Sequence, residues 1–135
     1  MKCTGWFNKF YICVKDFSMH LDEILHFCLQ LPGTEETFPF DNRTLVFKVM
    51  GKMFALVDVE EPNTINLKCD PERAIELRER YDGIQAGYHM SKKHWNTVDL
   101  RGSVDDQLIR ELILHSYDLV VKGLPKKLKD ELAAG

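Results

Sequence analysis

The sequence predicts an α+β domain built on antiparallel strands, and three observations predict it. Leu21, Ile24, Leu25, Cys28 and Leu31 recur at helical spacing. Two apolar runs, Leu45 to Val49 and Met53 to Val57, flank a tight connection containing Gly51, as the arms of a hairpin do. Leu108, Leu112, His115 and Leu119, with Ile109, Ile113 and Val120 beside them, form the broad apolar face of a long C-terminal helix.

Taken in order, residues 1–18 mix Trp6, Phe7, Phe10, Tyr11 and Phe17 with lysines and show no clean periodicity, although Phe10 to Val14 can extend as a strand. They read as an extension of uncertain status, leaving one domain over residues 19–135. The first helix starts after Met19 and stops at Pro32-Gly33, where proline cannot continue the ladder and glycine tolerates the left-handed turn. Glu35 and Glu36 then sit at a helix exit as two solvated acids, and Phe38-Pro39-Phe40 bridges to the hairpin. Thr64 to Lys68 alternates apolar and polar residues, which gives a strand with one covered and one open face. Lys48, Asn66, Lys68 and Asn96 are assigned to that open face.

Asp70-Pro71-Glu72 supplies a cap acceptor, a proline at the first helical position and an acid in the first turn, so a middle helix runs to about Tyr81 and closes at Asp82-Gly83. Ile84 to Tyr88 leads into a basic loop, and Trp95 to Leu100 reads as a further strand. Ser103 or Asp105 caps the last long helix, which ends at Gly123, and Pro125 to Lys129 opens a short basic turn or helix.

Bulk properties narrow the function. With 44% hydrophobic and 29% charged residues, neither disorder nor a membrane protein is favoured, and no apolar run is long enough to span a bilayer. A net charge of -3 excludes coating of nucleic acid by bulk electrostatics, so any such binding must come from a local patch. Cys3, Cys13, Cys28 and Cys69 form no C-x-x-C pair and read as free thiols of a reducing, cytoplasmic compartment.

Cys28 or Cys69 could act as a nucleophile only with a histidine close by, but Cys28 falls on the apolar stripe of the first helix and Cys69 borders a strand, so both read as inert core or boundary thiols, and His20, His26, His89, His94 and His115 lack zinc-site spacing. The glycines make no phosphate-loop or dinucleotide fingerprint. No catalytic residue, cofactor or metal is therefore expected.

From Met19 onward the chain resembles the MmcQ/YjbR family. The resemblance is carried by Phe38-Pro39-Phe40, Val46-Phe47-Lys48-Val49, Asn66-Leu67-Lys68-Cys69-Asp70-Pro71, Gly87-Tyr88-His89-Met90, Lys93-His94-Trp95-Asn96-Thr97-Val98, His115-Ser116-Tyr117-Asp118 and Gly123-Leu124-Pro125. It implies a CyaY-like architecture, an antiparallel sheet covered by helices, of the double-wing type associated with DNA binding. It also implies a start near Met19, and Met50 stands where the family often has a second hairpin glycine, which leaves the turn type open.

The candidate site is Tyr88, His89, Lys92, Lys93, His94 and Trp95, with Lys126 and Lys127 as a second basic cluster. On a loop acting as a wing, Lys92 and Lys93 would meet phosphates as point charges while Tyr88, His89 or Trp95 stacks on a base or lines a groove. The competing reading makes Trp95 a core anchor and the lysines merely solvated. For Lys126 and Lys127, complementing a helix C-terminus and dilution by Asp130 and Glu131 is the stronger reading. DNA is the expected partner and a monomer the expected state. A protein-interaction or small-ligand domain without nucleic-acid contact is the alternative.

Overall fold

A computed structural model describes residues 19–87 and 90–135. The expectations for residues 1–18 and for Tyr88 and His89 fall outside these residues. The chain runs α1 (Leu21–Leu29), β1 (Thr34–Thr37), β2 (Thr44–Val49), β3 (Lys52–Asp58), β4 (Thr64–Lys68), α2 (Pro71–Arg80), β5 (Ile84–Ala86), β6 (Trp95–Asp99), α3 (Asp106–Lys122) and α4 (Lys126–Ala134). Among the described residues six strands form one antiparallel sheet in the order β1-β2-β3-β4-β6-β5.

The helix starts are made by short side chains reaching orphan amides. Glu23 accepts from the His20 amide at 3.0 Å, Asp70 from the Arg73 amide at 3.2 Å, and Asp105 from the Gln107 amide at 3.0 Å. Of the two cap candidates before α3, Asp105 therefore serves, whereas the Ser103 hydroxyl donates to Asp99 at 2.5 Å.

Pairing aligns Leu45, Val57, Ile65, Val98 and Ile84 on one face of the sheet. That face carries the main core, packed against Ile24 and Cys28 of α1, Ala74 and Leu77 of α2, and Ile109, Leu112 and Ile113 of α3. The other face is free of helices among the described residues, but it is not simply polar: Val46, Leu56 and Trp95 bury one another there, with Met53 and Met90 packed against them.

One irregularity shapes the middle of the sheet. Phe47 pairs with Ala55 while Lys48 pairs with Met53, so Phe54 is the extra residue of a β-bulge. Phe54 and Ala55, although adjacent, are thus both fully buried in the main core. The Phe54 ring lies edge-on to Tyr117 at 5.4 Å, and the Tyr117 hydroxyl donates to the Pro32 carbonyl, tying α3 to the exit of α1. The fully buried Ser116 of α3 reaches the bulge: its hydroxyl donates to the Phe54 carbonyl at 2.5 Å and accepts from the Lys68 amide at 2.9 Å.

Two readings change, and one left open is settled. Glu35 and Glu36 are exposed on edge strand β1, not at a helix exit. Thr-Glu-Glu-Thr has no apolar alternation, because its place in the sheet comes from backbone pairing with β2, and charge on an edge discourages pairing with other chains. Asn96 is not on the helix-free face: it pairs with Leu67 and Ala86 on the covered side and is 2% exposed. The hairpin turn places Met50 at φ 50 and Gly51 at φ 85, both left-handed as a type I′ turn requires. Met50 tolerates this while packing against the main core, an apolar contact that opposes the strain.

Candidate nucleic-acid interface

The antiparallel register decides which charges share an end of the sheet. At one end, β2 finishes and β3 begins with Lys48 and Lys52, β4 finishes with Lys68, and the β5–β6 connection carries Lys92 and Lys93. Lys68 pairs with Trp95, while Lys52 and Lys68 line a cleft of ≈ 220 Å³ with Leu119, Val120 and Gly123 at the end of α3. None of these five lysines makes an ion pair among the described residues.

The opposite end collects acids. Asp58 pairs with Thr44, Thr64 pairs with Asp99, and Asp82 precedes β5. The arginines there are engaged: Arg43 Nε meets Asp58 at 2.6 Å and its other nitrogens reach Glu60 and Glu61, while Arg101 meets Asp99 at 2.7 Å. Asp58 and Asp99 titrate below the ordinary carboxylate value. Burial alone would raise them, and the hydrogen bonds from Arg43, Ser103 and Arg101 reverse it. A negative net charge and a cationic end thus coexist.

The loop that presents Lys92 and Lys93 is held from several sides. The Ser91 carbonyl accepts from the His94 and Trp95 amides at 3.2 and 2.9 Å, the His94 carbonyl accepts from the Cys69 amide at 2.7 Å, and the Trp95 carbonyl accepts from the Gly87 amide at 2.8 Å. Gly87 must lack a side chain, since a Cβ would stand 2.8 Å from Trp95 Cβ and 2.9 Å from its carbonyl oxygen. Arg78 of α2 is the outer clamp: Nε donates to Asn96 Oδ1 at 2.7 Å, and Nη2 to the carbonyls of Lys92 and, at 3.4 Å, Trp95.

Placed one by one, Lys92, Lys93 and His94 are exposed, and the Lys92 ammonium also lies 3.4 Å from the Gly87 carbonyl. Trp95 is buried with Val46 and Leu56, anchoring the loop to the helix-free face. Lys126 and Lys127 are exposed at the start of α4, where Lys126 pairs with Asp130 at 3.0 Å. No hydrogen bond or ion pair among the described residues joins them to the loop.

Sequence reasoning missed Arg78, one of several alternating charges on α2, and did not connect Lys52 to Lys92 and Lys93. Only the strand order makes that connection.

Cys28 and Cys69 are free, buried thiols. Burial pushes the Cys28 thiol up to about 12 and also raises Cys69, keeping both protonated. Among the described residues no group of three or more His, Cys, Asp or Glu is arranged to hold a metal, and no helix is long and apolar enough to cross a membrane.

His115 Nε2 accepts from the Asp70 amide at 3.2 Å. Its pKa is lowered by burial first and by Arg73 second, with Lys122 adding to the shift and Asp70 and Asp118 opposing it. A depressed histidine binds its proton less readily folded than unfolded, so its stabilising contribution is complete above 6.5 and is lost as pH falls below that value. Urea unfolding at about pH 7.5 and about pH 5.5 should therefore show a larger acid-side loss for the wild type than for His115→Gln. Equal losses would mean that the Asp70–His115 contact is not linked to folding.

A family model described as YjbR matches residues 29–119. The chain is 39% identical to the uncharacterized protein YbdF of Escherichia coli O157:H7 over 108 residues, covering 79% of this chain and 88% of that one. It is 36% identical to the uncharacterized protein YjbR of Escherichia coli K12 over 110 residues, covering 81% and 93%. The crystal structure of Deinococcus radiodurans protein DR2400, a DUF419 domain, superposes with a TM-score of 0.79 at 45% identity, covering 87% of this chain and 89% of that one. A Pseudomonas syringae protein superposes with a TM-score of 0.64 at 28% identity, covering 75% and 98%.

Proposed function

Since the chain belongs to the YjbR family, we propose that it is a non-catalytic DNA-binding domain that meets the phosphate backbone with its lysine end. The observation that supports this is the convergence of Lys48, Lys52 and Lys68 with Lys92 and Lys93 at one end of the sheet, where Glu35 opposite Lys48 is the cross-strand acid and no ion pair among the described residues engages the lysines, in a chain of net negative charge. The β2–β3 hairpin and the β5–β6 loop act as two wings, with Lys68 between them. Phosphate contacts set orientation on the DNA and carry no sequence information.

Fluorescence anisotropy of a labelled duplex titrated at about 50 and about 200 mM salt tests this, with binding expected near micromolar at the lower salt. In Lys92→Glu/Lys93→Glu the affinity should fall more than tenfold, and the slope of log K against log salt should become shallower by about two. Both lysines are exposed, so the melting temperature should hold. Unchanged affinity and slope would remove the β5–β6 wing from the reading.

A further inference from the structure

The face of the sheet that no described helix covers carries a groove of ≈ 460 Å³ that the phosphate contacts leave unused. Its floor includes Leu56, its walls Phe40 and Met90, and its polar groups Thr44, Thr64 and Asn66. Phe40 is 64% exposed and Phe38, two residues before it, 46%, large apolar exposures for neighbouring aromatic rings. Asn66 Oδ1 accepts from the Thr97 hydroxyl at 2.5 Å, while Asn66 Nδ2 has no partner among the described residues.

From these features we infer that the groove takes an unpaired nucleobase, so that the preferred ligand is single-stranded nucleic acid. The inference rests on the reading of the lysine end as a phosphate site. Phe40 offers a ring for a base to stack on, and such stacking tolerates every base because each has a π-face. Asn66, with an amide that both donates and accepts, meets the edge that an unpaired base exposes.

The groove and the lysines are connected. Thr64, Asn66 and Lys68 alternate along one face of β4, so the strand leads from the groove to the lysine end over about 13 Å. Met90 lines the groove and stands two residues before Lys92 on the same loop. The acid at the rim is not an obstacle of full strength. Asp58 Oδ2 is held by Arg43 at 2.6 Å, and Oδ1 by the Glu60 and Glu61 amides at 2.9 and 3.1 Å. A strand whose phosphates follow Lys68 and Lys92 can then place one base between Phe40 and Met90.

Anisotropy with three labelled probes of equal phosphate number tests this: a single-stranded oligonucleotide, a duplex, and an abasic single strand. The single strand should bind about tenfold more tightly than the other two, and Phe40→Ala should remove that advantage while leaving the duplex affinity and salt slope unchanged. Asn66→Ala should weaken the single strand less and alter its preference among bases. Equal affinity for the three probes, unaffected by Phe40→Ala, would overturn the groove proposal and leave the lysine reading standing. Single-strand binding lost in Phe40→Ala but kept in Lys92→Glu/Lys93→Glu would keep the groove and overturn the lysine wing. Absence of binding by every probe at low salt would overturn both.

Discussion

Ser116→Ala is expected to lower stability by about 2–4 kcal/mol, because one hydroxyl serves two buried backbone groups. The bulge at Phe54 removes that residue from the regular ladder, and its carbonyl and the Lys68 amide are bridged by Ser116 Oγ. Alanine removes the hydroxyl that both groups share. The space freed is about the size of a hydroxyl, which is too little for a water molecule to replace it. Urea unfolding measures the effect, and Leu114→Ala, at a side of α3 that is 39% exposed, is the control and should cost far less. A loss below about 1 kcal/mol would mean that β3 and β4 close on each other and the bulge relaxes.

Arg78→Leu should cost about 2–3 kcal/mol and weaken nucleic-acid binding while every lysine remains in place. The guanidinium holds Asn96 Oδ1 on one side and the Lys92 and Trp95 carbonyls on the other, a planar fork that a lysine cannot reproduce. Without it, the loop must be ordered at the expense of binding, and exchange of the His94 and Trp95 amides with solvent should quicken. Removing both polar partners should cost less than removing one, so Arg78→Leu/Asn96→Leu is expected to recover stability without recovering affinity. If Arg78→Leu binds as tightly as the wild type, the loop holds its shape through Ser91, His94 and Gly87 alone.

Much of the fold was legible because its elements carry their own patterns. The stripe of α1, the Asp70-Pro71 start of α2, the paired runs of β2 and β3 and the broad face of α3 are each stated within one stretch of chain. What was not legible depends on partners distant in sequence. Thr34–Thr37 is a strand because β2 pairs with it, and Asn96 lies under α2 because of a register that starts at Lys68 and Trp95. The basic loop stood out as a local cluster. Its enlargement by Lys48, Lys52 and Lys68 required the strand order, and the clamp by Arg78 required the side chain of a different element.

Apart from edge strand β1, where Glu35 lies opposite Lys48, the described strands carry their acids at one end and their lysines at the other, which gives the sheet a dipole within a chain of net negative charge. Far from a polyanion the monopole repels, whereas the dipole exerts a torque that turns the lysines forward. At the lowest ionic strengths, where screening lengths reach about 30 Å, the distant acids are felt together with the near cations. Near physiological salt the screening length is about 8 Å, shorter than the roughly 13 Å that one strand spans, so the surface that arrives first is felt almost alone. Ions in solution thereby divide the labour between the two ends, hiding the repulsive pole before they silence the attractive one.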